Sequence, residues 1–85
     1  MSKNYIPFAD KINLENISDG VKSIISRSYR GDLVPNMEQE GWKKTSSSKK
    51  MMFFERKFNG QHQSVGLKHN IIFGWDVVET AFYPL

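Results

Sequence analysis

The dipeptide Asn59-Gly60 constrains the fold most, because it separates two runs of residues that favour β-strands. Residues 51–58 read MMFFERKF, and residues 61–68 read QHQSVGLK. A two-residue loop between strands forms a type I′ turn, which needs positive φ at both central positions, and asparagine followed by glycine tolerates this best. The sequence therefore predicts an antiparallel hairpin in which the residues flanking the dipeptide lie opposite each other.

This register assigns alternate side chains to the two faces of the hairpin, since the side-chain period of a strand is two. One face carries Met52 and Phe54 opposite Leu67 and Val65. We expect this face to be the core face. Arg56 follows on the same face, towards the turn, where we expect the cover by other elements to end.

The opposite face is expected to be exposed to solvent, because most of its residues are polar or cationic. Met51 and Phe53 are apolar members of this face, and Phe53 stands out because its aromatic ring lies opposite Gly66. The ring either covers the missing side chain of the glycine, or offers a platform on which a nucleobase stacks, or is covered by the N-terminal segment or another subunit. The polar and cationic members of this face are Lys57, His62 and Lys68.

Apolar residues recur at spacings of three and four between residues 13 and 30, which predicts an amphipathic helix over 13–30. Gly20 lies within this stretch and costs about 1 kcal/mol relative to alanine. The pattern is compatible with one continuous helix or with a turn followed by a shorter helix. Gly31 is suited to the position that ends the helix. Residues 1–12 precede the helix as an N-terminal segment of mixed composition.

The rest of the chain predicts an antiparallel sheet over 42–80. Trp42–Thr45 precedes the hairpin, and Ile71–Thr80 is a further β-branched and aromatic run with Gly74 as a candidate bulge. Before the sheet, Pro35 is expected to open a short second helix. The predicted fold class is α+β, with an N-terminal amphipathic helix packed on a three- to four-stranded antiparallel sheet. We expect the 85 residues to form one domain.

Positive charge is concentrated in one part of the chain. The net charge is only +3, but residues 43–68 hold seven lysines and arginines against Glu55 alone, a net of +6. This asymmetry favours an anionic partner, and the lack of a strongly basic helix favours RNA or a single strand over duplex DNA. The predicted nucleic-acid-binding residues are Lys43, Lys44, Lys49, Lys50, Phe53, Arg56, Lys57, His62 and Lys68.

Two lysine pairs flank the serines at 46–48. Strand alternation places one member of each pair on each face, so we expect a rim at one loop and not a flat cationic surface. The lysines either form a solvated edge that discourages aggregation or bind phosphates with release of counterions. Arg56 is the more specific candidate, because a guanidinium can bind a phosphate through two parallel hydrogen bonds.

Several chemistries are disfavoured by the residues present. Without cysteine there is no disulfide and no thiolate metal site, and the two histidines lack helical spacing and a carboxylate cluster. We expect no cofactor and no enzymatic activity; the weaker alternative is a metal-independent ribonuclease that uses His62 with Lys57 and Arg56. No apolar run approaches the roughly 20 residues that span a bilayer, and the expected location is the cytoplasm.

The main helix, the MEQEGW turn into a strand and the Asn-Gly hairpin resemble small α/β RNA-binding modules and toxin folds. The short, cysteine-free, lysine- and asparagine-rich chain also resembles small accessory proteins encoded by bacteriophages, some of which bind RNA or block host toxins and nucleases. This resemblance implies a second hypothesis, a protein-binding inhibitor of a toxin or nuclease. The apolar C-terminus, Phe82–Leu85, is expected to dock on the domain or to supply a homodimer or partner contact.

Overall fold

The computed structural model describes residues 8–29, 31–72 and 74–85, with the side chains of residues 8 and 9 excepted. Four strands form one antiparallel sheet in the order β1-β2-β3-β4, preceded by two helices, which confirms the predicted α+β class. Predictions that concern residues 1–7, 30 and 73 lie outside the described residues. The elements are α1 (Phe8–Ser26), α2 (Leu33–Gln39), β1 (Lys43–Ser47), β2 (Met51–Phe58), β3 (Gln61–Asn70) and β4 (Gly74–Pro84).

α1 is a single helix that starts earlier than the apolar spacing predicted. It begins at Phe8, and Asp10 in its first turn interacts favourably with the positive end of the helix dipole. The helix continues through Gly20, so the alternative of a turn and a shorter helix is wrong. Ile17 and Val21 on either side of the glycine are buried, and this packing outweighs the low helix propensity of glycine.

α1 ends at Ser26, four residues before the predicted end. The hydroxyl of Ser28 donates a hydrogen bond to the carbonyl oxygen of Ile24, and its backbone N–H bonds to the carbonyl oxygen of Ile25 at 3.1 Å. A serine side chain can replace helical bonds in this way. Gly31 therefore does not cap α1 and instead lies in the connection to α2, with a φ of 89°.

α2 ends in a Schellman motif that directs the chain into the sheet. Gly41 has a φ of 86°, and its N–H bonds to the carbonyl oxygen of Glu38 at 3.0 Å. The N–H of Trp42 reaches back to the carbonyl oxygen of Met37, also at 3.0 Å. Met37 and Trp42 are both buried, so the motif delivers the tryptophan to the core immediately before β1.

Asn59 and Gly60 connect β2 to β3, with φ angles of 52° and 71°. Phe58 pairs with Gln61, and the predicted register holds along all eight pairs of the two strands. The alternation of side chains between the two faces follows from this register.

The core lies between the helices and one face of the sheet. α1 packs against β3 and β4, and α2 packs against β1. The predicted core face of the hairpin is confirmed, because all four of its apolar residues are buried. The buried apolar residues are Ile17, Val21, Ile24, Leu33, Met37, Trp42, Met52, Phe54, Val65 and Leu67.

β4 carries a bulge, but not at the predicted position. Gly66 pairs with Glu79 and Leu67 pairs with Val77, which leaves Val78 as the extra residue of β4. Gly74 is instead the first residue of the strand. Bulges of this kind increase the local twist of a sheet edge and discourage pairing with another chain.

The C-terminus docks on its own domain. β4 continues to Pro84, beyond the predicted end of the sheet, and Phe82 packs against the core. The backbone N–H of Leu85 bonds to the carbonyl oxygen of Gly60 at 2.9 Å. The chain end is thus fixed to the β2–β3 turn.

We expect Phe54→Ala to lower the free energy of unfolding by about 3–5 kcal/mol, because the ring is fully buried and its removal leaves a cavity. Ile71→Ala is the control, since this side chain is exposed and its loss is expected to cost less than about 0.5 kcal/mol. Urea denaturation followed by tryptophan fluorescence measures both changes. Similar costs for the two variants would contradict the core described here.

Candidate nucleic-acid interface

Residues 43–50, which we call the β1 rim, lie along one edge of the sheet. They comprise β1, the first strand in the sheet order, and the turn that leads into β2. All eight residues are exposed. The segment reads KKTSSSKK, so it contains four lysines and four hydroxyl side chains but no acidic or apolar residue. The rim is therefore a continuous cationic and hydrogen-bonding surface.

Strand alternation distributes the lysines of β1 over both sides of the sheet edge. Lys43 pairs with Glu55 and Lys44 with Phe54, and the register shifts before Ser46. Because Phe54 is on the core face, Lys44 lies on the side of the helices and Lys43 on the other side. The lysines form a rim and not a flat surface, as the alternation predicted.

The turn of the rim is held by backbone hydrogen bonds. The N–H of Ser48 bonds to the carbonyl oxygen of Met51 at 2.8 Å, and the Ser48 hydroxyl accepts the N–H of Met51 at 3.2 Å. The carbonyl oxygen of Lys50 accepts the backbone N–H of His69 at 2.7 Å, which joins the turn to the end of β3. A turn fixed in this way loses little backbone freedom when Lys49 and Lys50 bind a ligand.

No lysine of the rim forms an ion pair with another described residue. Within 8–29, 31–72 and 74–85, Arg27 forms an ion pair with Glu40 at 2.9 Å, and His62 lies 2.8 Å from the Glu55 carboxylate. The rim lysines therefore attract counterions from the solvent, although Lys43 lies opposite Glu55 in the strand pairing. Replacing these ions with phosphates would release them, which is the main source of affinity for nucleic acid.

The outer face of the sheet, opposite the helices, does not have the cationic character that the hairpin alone suggested. β4 places Asp76 opposite Lys68 and Glu79 opposite Gly66, and Glu55 lies on the same face. Charges of both signs therefore alternate on this face, which weakens its attraction for phosphates. Its charged residues within the described part of the chain are Lys43, Lys57, Lys68, Glu55, Asp76 and Glu79.

Phe53 lies over Gly66 on the outer face. A methyl group on the glycine would come within 3.0 Å of the Phe53 Cε1 atom and 3.2 Å of the Glu79 Cβ atom. The ring thus rests against the glycine backbone, which supports its interpretation as a cover. Glu55 and Glu79 line the same shallow cleft, and their carboxylates disfavour the approach of a phosphate-bearing strand to the ring.

Arg56 is engaged within the protein. Its guanidinium carbon lies 4.5 Å from the ring centroid of Trp42 and 4.1 Å from that of Phe58. Nε donates to the side-chain oxygen of Gln63 at 2.7 Å, and Nη1 donates to the carbonyl oxygen of Glu40 at 2.8 Å. Burial lowers the pKa of Arg56, and the nearby Glu40 carboxylate acts in the opposite direction. The residue joins β2 to the end of α2 and has few donors left for a phosphate.

His62 lies on the outer face between Lys57 and Tyr83, its partners in β2 and β4. Its Nε2 atom is 2.8 Å from the Glu55 Oε1 atom, and its ring meets that of Tyr83 edge-on, with centroids 6.4 Å apart. Arg56 points to the opposite face. The structure therefore brings Lys57, but not Arg56, to the histidine that the ribonuclease alternative requires.

A groove beside the rim was not predicted. Tyr29, Ile71 and Ile72 are all exposed and line it, although the sequence assigned them to a helix and a strand. The sequence does not reveal that apolar residues within a run that favours a strand are exposed to solvent. The available signal was Asn70, because asparagine followed closely by Gly74 marks a turn.

Comparison with known proteins finds no family model that matches this chain, no similar curated protein and no similar solved structure. Within the described residues, no helix is long and apolar enough to cross a bilayer. The same residues contain no group of three His, Cys, Asp or Glu side chains placed to hold a metal ion.

We expect Gly66→Ala to lower the free energy of unfolding by about 1–3 kcal/mol, because the added methyl group would be forced against the Phe53 ring. The same substitution is expected to cost less in a Phe53→Ala background, where the ring is gone. Urea denaturation of the four proteins measures the coupling. Equal costs in both backgrounds would show that Phe53 does not cover the glycine.

Arg56→Met is expected to destabilise the protein by about 1–3 kcal/mol, because it removes two charge-assisted hydrogen bonds and leaves Gln63 and the Glu40 carbonyl oxygen without this donor. Lys57→Met is the matched control, as it removes the neighbouring, exposed charge on the other face. Thermal and urea denaturation compare the two. An equally stable Arg56→Met protein would overturn the structural role of the arginine.

Proposed function

We propose that this protein is a non-enzymatic module that binds nucleic acid through the β1 rim, with RNA or a single strand preferred. The observation that supports this most is the exposure of eight consecutive residues, 43–50, which carry four lysines and no carboxylate. Their charges have no ion-pair partner among the described residues. Such a segment gains affinity for a polyanion from counterion release.

The rim lysines are the phosphate-binding residues of this proposal, and Lys68, although on the outer face opposite Asp76, lies next to them. Lys68 pairs with Met51, the residue that follows the turn of the rim. The serine hydroxyls between the lysine pairs supply further donors, which commonly bind phosphate oxygens. Lys57 and His62 adjoin the Asn59-Gly60 turn, at the other end of β2, and contribute at most to long-range attraction.

A single strand suits the rim better than a duplex. The rim is a short edge strand and its turn, and it offers no helix for insertion into a major groove. Arg27, which directly follows α1, is also occupied by its ion pair with Glu40. We place this activity in the cytoplasm, consistent with a chain that has no cysteine.

The double substitution Lys49→Gln/Lys50→Gln is expected to weaken binding of a single-stranded oligoribonucleotide. Because two phosphate contacts are lost, the slope of log K against log salt concentration should become shallower by about 1.4. The matched control is Lys11→Gln/Lys22→Gln, which removes the same charge from exposed positions of α1. Fluorescence anisotropy between about 50 and 200 mM salt measures these slopes.

Equal slopes for the two double variants would show that net charge, and not the rim, governs binding. Gel analysis of the oligoribonucleotide after incubation tests the absence of catalysis. Cleavage by the purified protein that disappears in His62→Ala would replace this proposal with the ribonuclease.

A protein-binding inhibitor of a toxin or nuclease is a second candidate, favoured by the apolar residues at the β2–β3 turn. Phe58 is 45% and Leu85 70% exposed, and Leu85 is held at the turn by its bond to Gly60. Phe82 is not available as an anchor because it packs on the core. A pull-down from lysate separates the candidates: a protein partner that persists after RNase treatment supports the inhibitor, and its loss supports the nucleic-acid module.

A further inference from the structure

A groove of about 380 Å³ opens at the end of the sheet, between the α1–α2 connection and the β3–β4 turn. One side carries Tyr29, which is 84% exposed, and the other carries Ile71 and Ile72, which are 95% and 81% exposed. Ile25 and Trp75 line its interior. Three large apolar or aromatic side chains so exposed around one concavity indicate a binding site, because scattered surface residues do not converge in this way.

Among the described residues that line the groove, Tyr29, His69 and Trp75 carry polar side-chain groups that form no hydrogen bond with another described residue. Ser28 and Asn70 also line it, but Ser28 bonds to Ile24 and Asn36, and Asn70 bonds to Asp76 and to the backbone of Ile72.

The His69 ring is oriented by Trp75, which it meets edge-on with centroids 5.2 Å apart. The two ring nitrogens of His69 have no hydrogen-bond partner among the described residues. The groove thus combines an aromatic ring and aliphatic side chains with a few donors and acceptors.

The groove is continuous with the β1 rim. His69 lines the groove, and its backbone N–H bonds to the carbonyl oxygen of Lys50 at 2.7 Å. The turn that carries Lys49 and Lys50 therefore lies beside the strand end that leads to the two isoleucines. Lys68 precedes His69 on the same strand but lies on the outer face, opposite Asp76. A turn that carries two lysines is consequently joined to the strand end that lines an apolar and aromatic cavity, which suits a ligand that joins phosphates to flat rings.

We propose that this groove receives one unstacked nucleobase of the strand that the rim binds. The base stacks on the ring of Tyr29 and packs against Ile71 and Ile72, with its edge towards His69, while the lysines hold the neighbouring phosphates. A single strand can supply such a base at little cost, whereas a duplex must first unpair it. This inference rests on the proposed function and adds a base-binding site to it.

The test is a cycle that removes the aromatic ring from the protein and the base from the ligand. Tyr29→Ala is expected to bind a single-stranded oligonucleotide about tenfold more weakly than the original protein, since stacking on one aromatic ring contributes on this order. An oligomer with abasic sites should bind the original protein with a similar loss. The Tyr29→Ala protein should bind the abasic oligomer only slightly more weakly than the intact oligomer, because both changes remove the same stacking contact.

The matched control is Tyr83→Ala, which removes an exposed tyrosine from β4 on the outer face and should leave affinity unchanged within about twofold. The salt slope of Tyr29→Ala should equal that of the original protein, because no phosphate contact is lost. Circular dichroism verifies the fold of each variant.

Three results would overturn the inference in distinguishable ways. If the original protein binds both oligomers equally and with a steep salt slope, the rim binds phosphates but the groove takes no base. If the original protein binds neither oligomer at low salt, both the proposed function and the base-binding role of the groove are wrong. The groove would be assigned to a lipid surface by a third result. In that case the protein sediments with anionic phosphatidylserine vesicles, and Ile71→Ser/Ile72→Ser abolishes this sedimentation without effect on oligomer binding.

Discussion

The turn at Asn59-Gly60 is the constraint on which the rest of the structure depends. Positive φ at both residues fixes the pairing of β2 with β3, and this pairing decides which face every side chain of the hairpin occupies. The Phe54 side chain lies on the face that the helices cover, and the Phe53 side chain lies on the outer face. A slip of one residue would exchange the two rings and expose the core. The helices can cover the sheet, and the β1 rim can stay outside, only in this register.

The parts of the fold that local chemistry specifies could be predicted from the sequence. A two-residue turn and strict alternation were sufficient for the hairpin and its core face. Pairing with β4 has no comparable local signal, and the bulge at Val78 places Asp76 and Glu79 on the outer face. This long-range pairing places carboxylates beside the cationic side chains of the hairpin and balances their charge. The early end of α1 depends on the Ser28 hydroxyl, which spacing of apolar residues does not reveal.

The candidate site is likewise predictable where local sequence determines it and not where tertiary structure does. The rim lysines were predicted because charge is visible in a sequence and edge-strand residues remain exposed. Arg56 lies beside Gln63 as its register predicts, but its contacts with Trp42 and Glu40 could not be predicted, because they join residues far apart in the chain. The groove at Tyr29 was missed, since exposure of an apolar residue is a property of tertiary structure. Together the rim and the groove form one surface along the sheet edge and its end, and the carboxylates of Glu55, Asp76 and Glu79 lie at its border with the outer face.

In our proposal, this surface, and not the outer face, binds a single-stranded nucleic acid. Titration of the ¹⁵N-labelled protein with a single-stranded oligoribonucleotide, followed by amide chemical shifts, tests this proposal most directly. We expect shift changes confined to residues 43–50, residues 68–72 and Tyr29. Changes centred instead on Glu55, His62 and Glu79, or no changes at low salt, would contradict it.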